Sequence, residues 1–432
     1  MISGVALFGV RRPRPWLMLA LGVFAQASAT VLVSTPAFLI PLLHTQRGMS
    51  LAAAGTLAAA PTLGMVVTLI AWGALTDRIG ERLVIAVGLL LASAAAVAAA
   101  LIANAVPGGY LSVGVLLFVG GMMAASPNAA SGRLVVGWFS RDKRGLAMGI
   151  RQMCQPLGVA VAAIAIPPLA SAGGIAAALT LPAILTLLSA VACAIWIVDP
   201  RPSSRPVATP QTPPQATATA PTPAPALQSN PYRTGAVLWR IHLASMLLVV
   251  PQFTVSTFGL VWLISEWHWP TAAAGVLVGA CQFIGAIGRI GVGALSDRVG
   301  SRLRPLRWVA YSAVAVMAAL AATGILGGWA VAPLLVLASI VTVADNGLAY
   351  TAVAEIAGAT WSGRALGAQN TGQFLAASAV GPVVGGLIGL VGYPIAFAVV
   401  ALAPLAAVPL VPVRSPGSRW AARDPSSHVS SR

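Results

Sequence analysis

Apolar residues run along most of this chain in stretches of about twenty or more, and polar positions gather in the short segments between them. A core helix of a soluble protein alternates apolar and polar positions at the helical period. These stretches do not, which makes lipid the natural solvent for their outer faces. Each is long enough to cross a hydrocarbon core of about 30 Å as a helix. Twelve spans are predicted, at 16–43, 51–75, 83–105, 110–138, 146–170, 173–198, 236–265, 271–295, 307–326, 329–354, 366–390 and 392–413. The longer ones tilt or extend past the headgroups.

Residues 199–233 break the pattern. They are rich in Pro, Ala, Thr and Gln and hold almost no large apolar side chain. Such a segment cannot bury a core and reads as an extended or disordered linker. It separates a first six-helix unit, 1–198, from a second, 234–413, which is followed by a tail at 414–432. The two units repeat at a constant offset. Gly73, Asp77, Arg78, Gly80 and Arg82 match Gly293, Asp297, Arg298, Gly300 and Arg302, and the run Ala52–Gly55 matches Ala272–Gly275. The period is too long for a solenoid. It fits a duplicated unit whose copies lie in parallel across an axis along the membrane normal. The predicted fold is an all-α polytopic membrane protein with twelve transmembrane helices in two pseudo-symmetric six-helix bundles.

Composition agrees: 58% of the 432 residues are hydrophobic and only 8% charged, too few to cover a soluble surface. A net charge of +16 on a soluble protein would suggest nucleic acid. Its placement excludes that partner. Arg11, Arg12 and Arg14, then Arg78 and Arg82, Arg141, Lys143 and Arg144, Arg201, Arg205 and Arg233, Arg298 to Arg307, Arg364, and Arg414 to Arg423 all fall at one set of alternating loops and the termini. The opposite loops hold only Arg47. This is the positive-inside pattern, with both termini cytoplasmic. The Ala- and Arg-rich composition suggests a GC-rich bacterial genome, and the helical spans are then expected in its inner (plasma) membrane. The first run is too long for a signal-peptide core and is read as a retained helix. Cys154, Cys193 and Cys281 all lie in apolar runs with no paired spacing, as small apolar packers.

The pattern Gly-x-x-x-Asp-Arg-x-Gly-x-Arg, present as Gly73–Arg82 and again as Gly293–Arg302, sits at the second-to-third helix junction of each half. In this the sequence resembles the major facilitator superfamily, over the whole chain except linker and tail. The resemblance implies a secondary transporter working by alternating access, as a functional monomer among membrane lipids. It implies no cofactor, a small-molecule substrate, a proton gradient as energy source, and a central path lined by helices 1, 4, 7 and 10. The motif also has its own physical logic. Gly80 and Gly300 permit a positive φ in a tight turn, and Gly73 and Gly293 permit close helix approach. Asp77 and Asp297 suit the positive N-terminus of a helix in the other half; the resemblance places those partners at the starts of helices 11 and 5. That contact would latch the Arg-rich side shut. The plainer reading is a turn and an orientation signal.

Ionisable groups within apolar spans are costly and mark pathways or structural pairs. Asp345, well inside the tenth span, is the candidate protonatable site; its alternative is a structural ion pair with Arg151 or Arg289. Arg151 either attracts an anionic solute or pairs with an acid. Arg133, Arg289 and Glu355, counted as shallow, are assigned to a gate network. Asn128, Gln152, Gln252, Asn346 and Asn370 join these as substrate-pathway candidates, together with Gln26, Gln155, Gln282, Tyr350, Gln369 and Gln373. Each taken singly also reads as an interhelical hydrogen bond.

The resemblance thins toward drug–proton antiporters. Their fourth-helix Arg-x-x-x-Gly is absent from the stretch ending at Gly120, and their fifth-helix Gly-Pro-x-x-Gly-Gly appears instead on helix 11, from Gly381 to Gly386. Uptake of a small polar or anionic solute is therefore favoured slightly over efflux of a hydrophobic one. No P-loop pattern occurs, which excludes a nucleotide-driven pump on this chain. The four scattered His residues and the missing H-E-x-x-H argue against a membrane enzyme, and neither a catalytic nor a metal-binding residue is assigned. A transport-inactive sensor on the same fold is the remaining alternative.

Overall fold

The computed structural model describes residues 15–106, 108–139, 147, 150–199, 230–233, 235–323 and 328–412. Most of the predicted linker and all of the tail lie outside these residues, as do the side chain of Asp77 and the positions 141–144. The described chain is helical, with no strand among its residues. The helices are α1 (Pro15–Phe38), α2 (Leu51–Ile79), α3 (Glu81–Ala105), α4 (Tyr110–Ala124), α5 (Ser126–Trp138), α6 (Cys154–Trp196), α7 (Val237–Ser265), α8 (Thr271–Val299), α9 (Leu303–Ala321), α10 (Val331–Val343), α11 (Asp345–Val400) and α12 (Leu402–Ala407).

These helices build the twelve spans, though not one for one. Helices α4 and α5 make the fourth span, jointed at Ala125 just ahead of Pro127. Proline removes one backbone bond, and its ring displaces the carbonyl four residues back. Helices α10 and α11 meet at Ala344, the matching place in the tenth span, which runs on to Ala357. Helix α6 holds two spans, divided at Gly173 and Gly174, where φ reaches 68°. Gly392, at φ 77°, divides the eleventh span from the twelfth. The ninth span is α9, whose first turns carry Arg304 and Arg307 and so depress its hydropathy.

Apolar packing shows how the halves meet. One cluster of buried side chains crosses between them: Phe38, Leu51 and Ile166 of the first half with Phe258, Val278, Val384 and Phe397 of the second. All lie toward the ends of the helices farthest from the two Asp-Arg loops. Toward the loop end the fully buried clusters of the described residues are separate, with the partly buried Phe374 of α11 reaching the first of them. One holds Met18, Ile85, Cys193 and Ile197; the other holds Leu238, Leu306, Ala407 and Val411. Among the described residues the halves are thus sealed at the far end and share no cluster of fully buried side chains at the loop end.

The seal is made by backbone touching backbone. A Cβ placed on Gly55 of α2 would lie 2.1 Å from the carbonyl oxygen of Gly381 in α11, and the reverse holds equally. Gly385 abuts the Leu51 carbonyl, and Gly275 of α8 abuts that of Ala163 in α6. Lipid offers helices no hydrophobic reason to associate, so close van der Waals approach through small residues supplies it.

At the loops, Gly80 and Gly300 adopt φ of 86° and 63°, as the tight turn requires. Gly80, with ψ 168°, occupies a region open in practice only to glycine, and its missing Cβ would meet the Asp199 carboxylate at 2.6 Å. Gly80→Ala is therefore expected to cost about 1–3 kcal/mol. Gly300→Ala, in open surroundings, should cost about 1–2 kcal/mol. Thermal unfolding of the detergent-solubilised protein checks the order of the two. Among the described residues nothing stands within 4 Å of a Cβ at Gly73 or Gly293, the positions expected to admit a neighbouring helix. Both belong to the loop end.

Candidate functional site

The joint in the tenth span places Asp345 at the first residue of α11. Its exposure is 0%, and neither carboxylate oxygen has a hydrogen-bond partner among the described residues. The alternative of a direct ion pair with Arg151 is thereby set aside in this conformation. The cation in electrostatic reach is Arg289 of α8, whose Nε donates to the Val343 carbonyl at 3.1 Å, two residues before Asp345.

That position corrects the reading of Arg289 as a shallow gate residue. Helix α8 continues through Val299, about a turn past the predicted end at 295. Arg289 consequently sits deeper and lines a cavity with Gln252 and Ser256 of α7, Gln282 of α8, and Ser339 and Thr342 of α10. Pro156, from the other half, closes one wall.

Beside the cavity a polar network ties three spans together. The Tyr350 hydroxyl lies 2.7 Å from Asn370 Oδ1 and 2.9 Å from Gln373 Oε1, which share its one proton. The Gln373 amide donates to Ser245 Oγ at 2.6 Å and Asn346 Oδ1 at 2.9 Å, and Asn346 donates to Gln252 Oε1 at 3.0 Å. The structure thus brings Gln252, Asn346 and Asn370 together. Low dielectric strengthens such a network and penalises any member left unpaired. Tyr350→Phe removes the one proton that these two oxygens share, and the expected loss is about 1–3 kcal/mol, read as a lowered Tm with the helical content retained.

Arg151 is engaged on the first half, where Nε donates to Ser131 Oγ at 2.9 Å and a terminal nitrogen to the Asn128 carbonyl at 3.2 Å. Gln152 is exposed.

At the loop end the charges pair within their own halves. Arg133 meets Glu81 at 2.8 Å. The backbone N–H of Arg82 donates to Asp199 Oδ1 at 2.8 Å, and its Nε donates to the Ala194 carbonyl at 2.7 Å. In the second half, Arg302 joins Asp297, Glu355 and Ser296. The start of the fifth span, which Asp297 is expected to reach, lies largely outside the described residues, and among those described Asp297 meets only Arg302 of its own half. Arg78 and Arg298 are exposed.

Glu81, Asp199, Ser131, Ser245 and His242 were not singled out from the sequence. His242 is shared between Gln369 Oε1 and the Tyr232 hydroxyl, the latter at 2.9 Å. A signal did exist for two of them: His242, Ser245 and Gln252 recur at helical spacing and mark one polar face of α7.

A family model described as the Major Facilitator Superfamily matches residues 19–379. The chain is 47% identical over 410 residues to the uncharacterized MFS-type transporter Rv2994 of Mycobacterium tuberculosis strain H37Rv, spanning 94% of this chain and 87% of that one. The uncharacterized MFS-type transporter MT3072 of strain CDC 1551 matches over the same length at the same identity. Among solved structures, a bacterial homolog of the human lysosomal transporter Spinster, in an inward-facing and occupied conformation, superposes with a TM-score of 0.68 at 15% identity, over 93% of this chain and 95% of that one. A D-xylose-proton symporter does so with a TM-score of 0.68 at 15% identity, over 92% and 97%. These two likenesses establish the fold alone.

Proposed function

The chain belongs to the major facilitator superfamily, and from that premise we propose that it carries a small polar or anionic solute into the cell together with protons. The observation behind this reading is Asp345: a carboxylate at 0% exposure, without a hydrogen-bond partner among the described residues, close to a cavity that Arg289 and Gln252 of the second half line and Pro156 of the first closes. An ionised carboxylate in that setting is costly, and a proton cancels the cost. If the cavity meets water on one side and then on the other, Asp345 loads and releases a proton once per cycle.

With the Arg-rich loops in the cytoplasm, as the charge pattern favours, the loop end faces inward. The working unit is then one chain in a bacterial inner membrane, driven by the proton gradient and needing no cofactor. The arginine and amide groups of the cavity favour a polar or anionic solute. The antiporter-like element from Gly381 to Gly386 packs at the seal between the halves, where it supports alternating access in either direction.

The test is flux into proteoliposomes holding a pH-sensitive dye, across organic anions and hydrophobic cations. Solute-dependent proton movement in the direction of the solute is expected. Proton movement against the solute would replace symport with efflux by antiport. Solute movement without any proton signal would overturn the coupling.

A further inference from the structure

We propose that the cavity beside Arg289 is a carboxylate-binding site in which the solute's carboxylate and the ionised side chain of Asp345 are alternative partners of one guanidinium. This rests on the transport reading above and adds the substrate class and the coupling rule.

The first argument counts donors. Arginine carries five N–H groups in a planar fork. The bond from Nε to the Val343 carbonyl uses one of them and holds the plane. The two terminal nitrogens have no hydrogen-bond partner among the described residues. The neighbouring groups point the same way. Gln252 receives a bond on its oxygen from Asn346, which leaves its NH2 to the cavity. Ser256 and Ser339 turn their hydroxyl protons onto backbone carbonyls of their own helices. The open donors are therefore the guanidinium and the amides of Gln252 and Gln282, and a donor-rich set of this kind suits a planar acceptor group. A carboxylate matches the fork with two parallel bonds.

The second argument counts charge. The charged and titratable groups that act on Asp345 are Arg289 from α8 and Tyr350 on its own helix. With Asp345 ionised, the region is neutral, and an entering anion would add an uncompensated charge in low dielectric. With Asp345 protonated, Arg289 stands alone, and the anion restores neutrality. Proton and anion binding each favour the other, as linkage requires. One proton and one carboxylate then travel together with no net charge moved.

Acetate is the smallest probe of this site, and acetamide is its neutral match. Purified full-length protein in detergent would be titrated with each at constant ionic strength, with binding read as thermal stabilisation. The expected acetate affinity at about pH 5.5 is at least about fivefold tighter than at about pH 8, at the low end of ordinary coupling. Acetamide should bind neither form. Arg289→Gln should weaken acetate about tenfold or more, as loss of a charged hydrogen bond does, and Arg289→Lys less. Asp345→Asn should bind acetate alike at both pH values, as tightly as wild type at the lower one.

Equal acetate binding by wild type and Arg289→Gln, equal effects of acetate and acetamide, or no acetate binding by any protein would each overturn the site. Affinity that ignores pH in wild type would overturn the competition. Should Arg289→Gln fail to fold, Arg289→Lys and Asp345→Asn still decide. None of these failures touches proton-coupled flux, which the dye assay reads separately.

Discussion

Gly381→Val is expected to bring transport down to the level of protein-free liposomes while leaving a folded protein in the membrane. The added carbons would enter the space of the Gly55 backbone, where even a Cβ lies 2.1 Å from a carbonyl oxygen. Backbone atoms on both sides leave no flexible side chain to give way. The contact exists only while the far ends are together, so the penalty falls on one state of the cycle. Overpacking of this kind costs about 1–3 kcal/mol or more. The sealed state then loses about tenfold to a hundredfold in population.

Gly121→Val supplies the contrast. Its Cβ would lie 2.0 Å from the Pro61 carbonyl, within the first half, where the contact persists in every state. That variant should lose expression and thermal stability instead. Comparing solute flux with the yield of monodisperse protein for the two variants separates gating from folding. Loss of fold in both would remove the conformational argument.

The second large effect is expected from Asp345→Asn. Asparagine keeps the size and the hydrogen-bonding capacity of the protonated acid and cannot release a proton. The variant should bind solute and exchange it down a solute gradient, while solute-driven proton movement disappears and a pH gradient no longer accumulates solute. Stability should change little at acid pH, where the wild-type side chain is protonated and asparagine is its neutral match. Proton uptake by the pH-dye assay and exchange of labelled solute in the same vesicles check both halves of the expectation. Wild-type proton movement in the variant would reduce Asp345 to a structural residue.

The fold was legible because a bilayer imposes one length on every crossing element and requires its backbone bonds to close internally. The repeat of Gly73–Arg82 as Gly293–Arg302 then set the pseudo-symmetry. The site was legible only as a set of residue types. Asp345, Gln252, Asn346 and Asn370 could be marked as polar groups in apolar helices, but their partners depend on how the helices are rotated. Arg289 was misjudged because depth was counted from a predicted helix end, and α8 runs on through Val299. Asp199 ends an apolar run and looked like the first residue of the linker. Its contact with the Gly80 turn comes from tertiary packing of the sixth span against the third. The Gly381 element was visible, yet nothing in the chain said that it faces Gly55. A loop-end latch between the halves is likewise expected from motif chemistry, and the Asp77 side chain and most of the start of the fifth span lie outside the described residues.

The central claim is that this arrangement, sealed at the far end and with no shared buried cluster at the loop end among the described residues, is one of two that interconvert. Spin labels at exposed positions test it without knowledge of the substrate, once Cys154, Cys193 and Cys281 are replaced. One pair, Leu83 and Trp308, spans the halves at the loop end; the other, Leu111 and Trp329, spans them at the far end. The account predicts two distances for each pair in lipid. The short loop-end distance should gain population whenever the long far-end distance does, and Gly381→Val should drive both that way. A single distance at each end, unmoved by pH, solute or that substitution, would contradict it.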